Sequence, residues 1–172
     1  MSTWPAPSAL DAYTQAFPVL TDIQIQRLRG VGKCHNVKVG DILFEPGDTN
    51  VPFFVLITAA MDILQPEITG DERLVVSHPP GQFTGEIAMI SGQRCLVRGR
   101  ITKAGEVLEL GAEALRSIVA RDAELSEVLM RAFILRRVAL VQSGNGNVIV
   151  LGSRFCANTW TTPSRTPTTW RI

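Results

Sequence analysis

The sequence predicts an α+β chain: an antiparallel barrel or jelly roll of short strands, with short helices ahead of it and one long helix behind. Three observations carry this. From Lys33 to Leu110, short apolar runs alternate with turn signals such as Gly40-Asp41, Pro46-Gly47-Asp48, Gly70-Asp71 and Pro79-Pro80-Gly81, the punctuation of an all-antiparallel unit. Ahead of Lys33 stands a helix-start signature, Thr21 with Gln24 three residues on. Beyond Leu110 the apolar period lengthens to that of a helix.

Taken in order, residues 1–20 form an N-terminal extension: a Pro-rich start, then Leu10, Ala12, Tyr13, Ala16 and Phe17 on a short helix that Pro18 breaks. The second helix opens at Thr21, carries Ile25 and Leu28 on one apolar face, and stops at Gly30. Both helices are expected on the outside of the roll. The predicted strands are Cys34–Val39, Ile42–Phe44, Phe53–Thr58, Met61–Leu64, Leu74–Ser77, Leu96–Ile101 and Glu106–Leu110. Glu113–Val119 makes two helical turns, and Asp122 can cap the next helix, about Ala123–Gln142. Along one face of that helix run Leu125, Val128, Leu129, Ala132, Phe133, Arg136 and Leu140, with Met130, Ile134 and Val138 off the stripe. A helix apolar on more than one side contacts more than one partner, so homodimerisation through it stays open. Past Gly144-Asn145-Gly146 comes a short β run, Val148–Leu151. The segment Arg154–Ile172, rich in Thr, Pro and Trp, has no period at all.

Composition narrows the function classes. The 172 residues suit one domain with a proper core, residues 21–142, followed by a linker or the start of a further domain at 143–172. A net charge of +1 gives no footprint for nucleic acid or an anionic membrane. The N-terminus lacks an export signal, and the longest apolar run, Pro52–Met61, falls far short of the ~20 residues that span a bilayer; the expected location is the cytoplasm. Cys34, Cys95 and Cys156 contain no C-x-x-C pair, and no dinucleotide fingerprint follows a strand, so no enzyme chemistry is expected of this chain. Cys34-His35 and His78 do not make a metal set: they read as strand residues with one face buried, and no cofactor is expected.

The stretch Gly81–Arg100, GQFTGEIAMISGQRCLVRGR, carries the chemistry. Gly85-Glu86 heads a short apolar turn, Ile87–Ile90; a polar loop, Ser91-Gly92-Gln93, follows, and Arg94 then opens a strand-like run with Cys95, Leu96 and Val97. The turn is too short for an ordinary connecting helix. Glycine permits close backbone approach, and the first N–H groups of a helical turn are free to meet an anion. An arginine can complete such a site with a bidentate contact to phosphate. An acid beside an anion must face a donor instead, such as a sugar hydroxyl. The trio suggests a phosphorylated sugar.

Residues 39–48, VGDILFEPGD, together with residues 85–90, GEIAMI, resemble the two motifs of the cyclic nucleotide-binding domain family, the β-roll shared by the catabolite activator protein and the regulatory subunits of cyclic-nucleotide-dependent kinases. The resemblance covers about Thr21–Gln142. It implies a sensor that binds cyclic AMP or cyclic GMP and couples occupancy to an attached or partner effector. Its ligand set would be Phe83, the backbone of Gly85, Glu86, Ile87 and Ala88 toward the phosphate, Glu86 toward the ribose 2′-hydroxyl, Arg94 on the phosphate, and Cys95 beside it. The family's arginine stands one position later, where this chain has Cys95; a loop shorter by one residue restores Arg94, and Arg98 is the fallback. Ala59 stands where a family turn has glycine. A cassette that keeps its fold without binding nucleotide, serving structure or dimerisation, is the alternative.

Ala132–Ser153 further resembles the junction joining this domain to a thioredoxin-reductase-like FAD/NADPH flavoenzyme in bacterial fusion proteins. Under that reading the chain is the sensor piece of a disulfide oxidoreductase, and the tail after Ser153 is a truncated or frame-shifted remnant. A transcription factor of the catabolite-activator type would need a helix-turn-helix after Gln142, and no such pair of helices follows.

Overall fold

The computed structural model describes residues 9–67 and 69–142. The tail, the Val148–Leu151 run and half of the Ala132–Ser153 junction lie outside the described residues.

The chain runs α1 (Ala9–Ala16), α2 (Asp22–Arg29), β1 (Lys33–Val37), β2 (Ile42–Phe44), β3 (Phe53–Leu56), β4 (Ala60–Pro66), β5 (Glu72–His78), β6 (Phe83–Thr84), α3 (Glu86–Ser91), β7 (Arg98–Lys103), β8 (Gly105–Leu110), α4 (Ala112–Arg121) and α5 (Ala123–Gln142). Two four-stranded antiparallel sheets, ordered β1-β8-β3-β6 and β2-β7-β4-β5, face one another. The fold is the α+β roll expected, with helices before and after its strands.

β3 shows how one short run builds two cores. Its four residues, Phe53-Phe54-Val55-Leu56, are all buried. Strand side chains alternate between faces, so Phe54 and Leu56 join the cluster between the sheets, with Phe44, Met61, Ile63, Val76 and Ile101. Phe53 and Val55 join the second cluster under the helices, with Leu28, Leu108, Leu125 and Leu129. The helices are therefore a third layer rather than a loose exterior. α2 is capped as its sequence predicts: Thr21 Oγ1 accepts from the Gln24 N–H and Gln24 Oε1 accepts from the Thr21 N–H. It is clipped to the α4–α5 corner by Gln24 on Glu124 and Arg27 on Asp122 and Glu124. Asp122 Oδ1 in turn accepts from the Leu125 N–H at the start of α5. No helix among the described residues is long and apolar enough to cross a membrane.

Three local expectations need correction. Residues Arg94–Val97 do not begin β7, which starts at Arg98. Instead Cys95 pairs with the turn after β2: its N–H donates to Asp48 O and its carbonyl accepts from the Gly47 N–H. Cys34 and His35 have no buried face, since β1 buries Val37 alone. The turn at Ala59 needs no left-handed residue; Asn50 is the non-glycine residue with positive φ among those described, and the close contact at Ala59 falls on Gly105, where a Cβ would lie 2.5 Å from the Ala59 nitrogen.

Candidate functional site

The two sequence motifs meet in space. The Gly47-Asp48 turn holds the loop after α3 through its paired hydrogen bonds to Cys95 (2.8 and 2.9 Å), and this fixes an alternation in which Cys95 and Val97 point inward while Arg94 and Leu96 are exposed. Gly85 sets the other end of α3. Its φ of +93° lies in the left-handed region, and an added Cβ would stand 2.1 Å from the Pro52 carbonyl oxygen. Glycine is required there on both counts. Gly92 closes α3 in the same left-handed region, its N–H donating to Ala88 O at 2.9 Å.

Between α3, its following loop, the strands and α5 lies one cavity. Its walls are apolar, from Phe44, Val51, Ile63, Val76 and Val97, and it is lined by Gly85, Glu86, Ile87, Ala88, Arg94 and Cys95. The structure thus brings six of the seven sequence-derived site residues together. Phe83 is not on the cavity wall: its ring is fully buried, packed on Phe53 with centroids 5.3 Å apart. The fallback residue Arg98 is likewise elsewhere, ion-paired with Glu72 and Glu45 across the second sheet.

Glu86 is nearly wholly buried, at 2% exposure. Its Oε1 accepts from Arg136 of α5, which is 3% exposed. Arg136 Nε also donates to Ala16 O (2.7 Å), and its terminal nitrogens approach Phe83 O at 3.4 Å. The guanidinium is flanked by Phe17 and Phe83, 4.6 and 4.9 Å from their ring centroids. One side chain therefore ties α1, β6, α3 and α5 together. Glu86 Oε2 is buried with no donor. A buried carboxylate oxygen is costly unless paired, so Oε2 is the unsatisfied atom of this cluster.

His78 lines the cavity from β5. Burial, aided by the nearby Arg136 charge, pushes it down to about 4 against the pull of its hydrogen bond to Gln82, so it is uncharged at neutral pH. The Gln82 amide donates to Phe17 O, which leaves its oxygen to accept from His78 Nδ1 (2.9 Å). Burial likewise raises the Cys95 thiol, whose Sγ lies 3.1 Å from Val97 O. No cluster of three or more His, Cys, Asp or Glu suited to a metal occurs among the described residues.

Sequence reasoning missed Arg136, Arg137 and His78 as cavity residues. Arg136 had a signal: a charge in register with an apolar stripe, four residues past Ala132. Arg137 and His78 had none, because their places depend on how α5 and β5 dock.

A family model of the cyclic nucleotide-binding domain matches residues 34–122. No curated protein matches the sequence significantly. Among solved structures, the catabolite activator protein of Thermus thermophilus is similar at TM-score 0.61 and 17% identity, over 76% of this chain and 60% of that one. The N-terminal domain of a transcriptional regulator from Streptomyces coelicolor A3(2) matches at TM-score 0.57 and 22% identity, over 75% of this chain and 91% of that domain. The regulatory domain of Toxoplasma gondii PKA, solved with cyclic AMP, matches at TM-score 0.51 and 18% identity, over 60% and 40%. The chain thus spans less than two thirds of the Thermus protein. The roll, the short helix inside it and the family model agree: the chain belongs to the cyclic nucleotide-binding domain family.

Proposed function

We propose that this chain is a cytoplasmic regulatory sensor that binds a nucleotide of the cyclic AMP or cyclic GMP type in the cavity beside α3. The observation that carries this is the unpartnered Oε2 of Glu86, buried in a cavity whose lining includes Arg94. A ribose hydroxyl would donate to Oε2, Arg94 would pair with the phosphate, and the backbone of Gly85–Ala88 would face it. Cys95 stands beside the phosphate position, and Phe83 acts behind the site through its carbonyl. Because Arg136 holds Glu86 and the Ala16 carbonyl at once, a ligand on Glu86 would act on α1 and α5 together and so pass occupancy to an effector. The resemblance of Ala132–Ser153 to a fusion junction supports a thioredoxin-reductase-like flavoenzyme as that effector. Ile134 and Val138, 53% and 45% exposed, support pairing of two copies through α5.

The second reading, a cassette that binds nothing, is favoured by one observation: Arg136 already satisfies half of Glu86. Calorimetry with cyclic AMP and cyclic GMP separates the two. Binding of either is expected, with Arg94→Ala weakening it by about 1.5–3 kcal/mol. Wild type silent to both nucleotides would overturn a cyclic mononucleotide as the ligand, and equal isotherms for wild type and variant would remove Arg94 from the site.

A further inference from the structure

The charges around the cavity do not balance for a singly charged ligand. Glu86 is the one acid among the described lining residues, and Arg136 neutralises it in a buried ion pair. Two further guanidiniums line the same cavity from separate elements, Arg94 from the loop after α3 and Arg137 from α5. No carboxylate among the described residues forms an ion pair with either. By contrast Arg98 and Arg100, the next basic residues along the chain, are both held by Glu72. His78 adds no charge at neutral pH.

We propose that the cavity is built for a nucleotide carrying two negative charges, one met by Arg94 and the other by Arg137, with a hydroxyl donated to Glu86 Oε2. This rests on the reading of the cavity as a nucleotide site and narrows the ligand class. A cyclic mononucleotide brings a single charge and leaves one guanidinium unanswered beside apolar walls. Half-buried and without an acid, Arg137 gains most from an anion, because charge pairing strengthens as water is excluded. Arginine has five donors and no acceptor, so it meets phosphate oxygens in a bidentate way and offers nothing to a donor. Two chemistries supply the dianion: two phosphodiesters, as in a cyclic dinucleotide, or one terminal phosphomonoester, which carries about −1.5 to −2 near pH 7.

The test titrates the full chain at pH 7.5 with four probes: cyclic AMP and cyclic GMP, each a monoanion, and 5′-AMP and cyclic di-GMP, each a dianion. At least one dianion is expected to bind about tenfold or more tighter than both cyclic mononucleotides, the scale of one charge-assisted contact. Arg137→Gln should erase that advantage and leave the cyclic mononucleotides within about twofold, while Arg137→Lys, which keeps the charge, retains part of it. Preference for cyclic di-GMP assigns the charges to two phosphates; preference for 5′-AMP assigns them to one. The proposal is overturned if cyclic AMP or cyclic GMP binds as tightly as the tighter of the two dianions, or if Arg137→Gln, folded by circular dichroism, changes no affinity; the nucleotide reading then survives. Silence to all four probes would overturn both.

Discussion

At the scale of single residues, Glu86 and Arg136 decide the most. A buried ion pair contributes little net stability, because desolvation offsets the attraction, yet removing one partner strands the other in a dry interior at a cost of about 3–5 kcal/mol. Arg136→Met should therefore destabilise the fold by about that amount in urea denaturation. Adding Glu86→Gln to the same chain should restore much of the loss, since the double variant leaves no buried charge. Strictly additive effects would show that the two side chains act independently. The location of Arg136 was legible in the sequence, since Leu125, Leu129, Ala132 and Arg136 recur at helical spacing. Its task was not, because nothing in the spacing says that Glu86, fifty residues earlier, lies opposite.

At the scale of elements, the legible parts are those whose partners are near in sequence. The capping box on α2 involves residues three apart, and it was read from Thr21 and Gln24 alone. β6 escaped notice because two residues, Phe83 and Thr84, are too few to show alternation. The start of β7 was placed too early because Cys95 and Val97 alternate like a strand while pairing with a turn rather than a strand. Gly85 belongs to this scale, since it turns the chain from β6 into α3. Gly85→Ala forces a side chain into the left-handed region, a cost of order 1–3 kcal/mol, and drives the new Cβ into the Pro52 carbonyl. A loss of at least about 2 kcal/mol is expected by denaturant titration, together with weaker nucleotide binding. Stability within about 0.5 kcal/mol of wild type would show that the turn adapts.

At the scale of the whole molecule, the acid limb of the stability curve gathers the buried groups. His78 is pushed down from the usual 6.5 to about 4 in the fold. Its neutral form contributes stability in full above pH 6.5, and this is lost as pH falls from 6.5 to about 4, because the unfolded chain takes up a proton that the folded one refuses. The loss is on the order of 3 kcal/mol. From the foot of that window downward the carboxyls of Glu72, Asp122 and Glu124, held low chiefly by the Arg100 hydrogen bond, the Leu125 N–H and the Arg27 hydrogen bond respectively, give up their smaller, solvent-exposed shares as pH falls past their ordinary values. Urea titrations from pH 8 to pH 4 should show the slope in wild type and not in His78→Gln, which stays neutral and keeps a donor for Gln82. Parallel curves would assign the slope to other groups.

The sequence by itself determined the roll, the helices at its two ends, and the glycine-acid turn, because strand alternation, turn residues and capping are short-range and written in adjacent positions. It also pointed to Gly85, Glu86, Ile87, Ala88, Arg94 and Cys95, which line one cavity. Tertiary structure alone decided what surrounds them: that α5 returns over α3, that Arg136 neutralises Glu86, that Arg137 and His78 join the cavity, and that Phe83 stays behind it. Those pairings join residues far apart in the chain, and the docking that creates them follows from the burial of whole faces rather than from any local pattern.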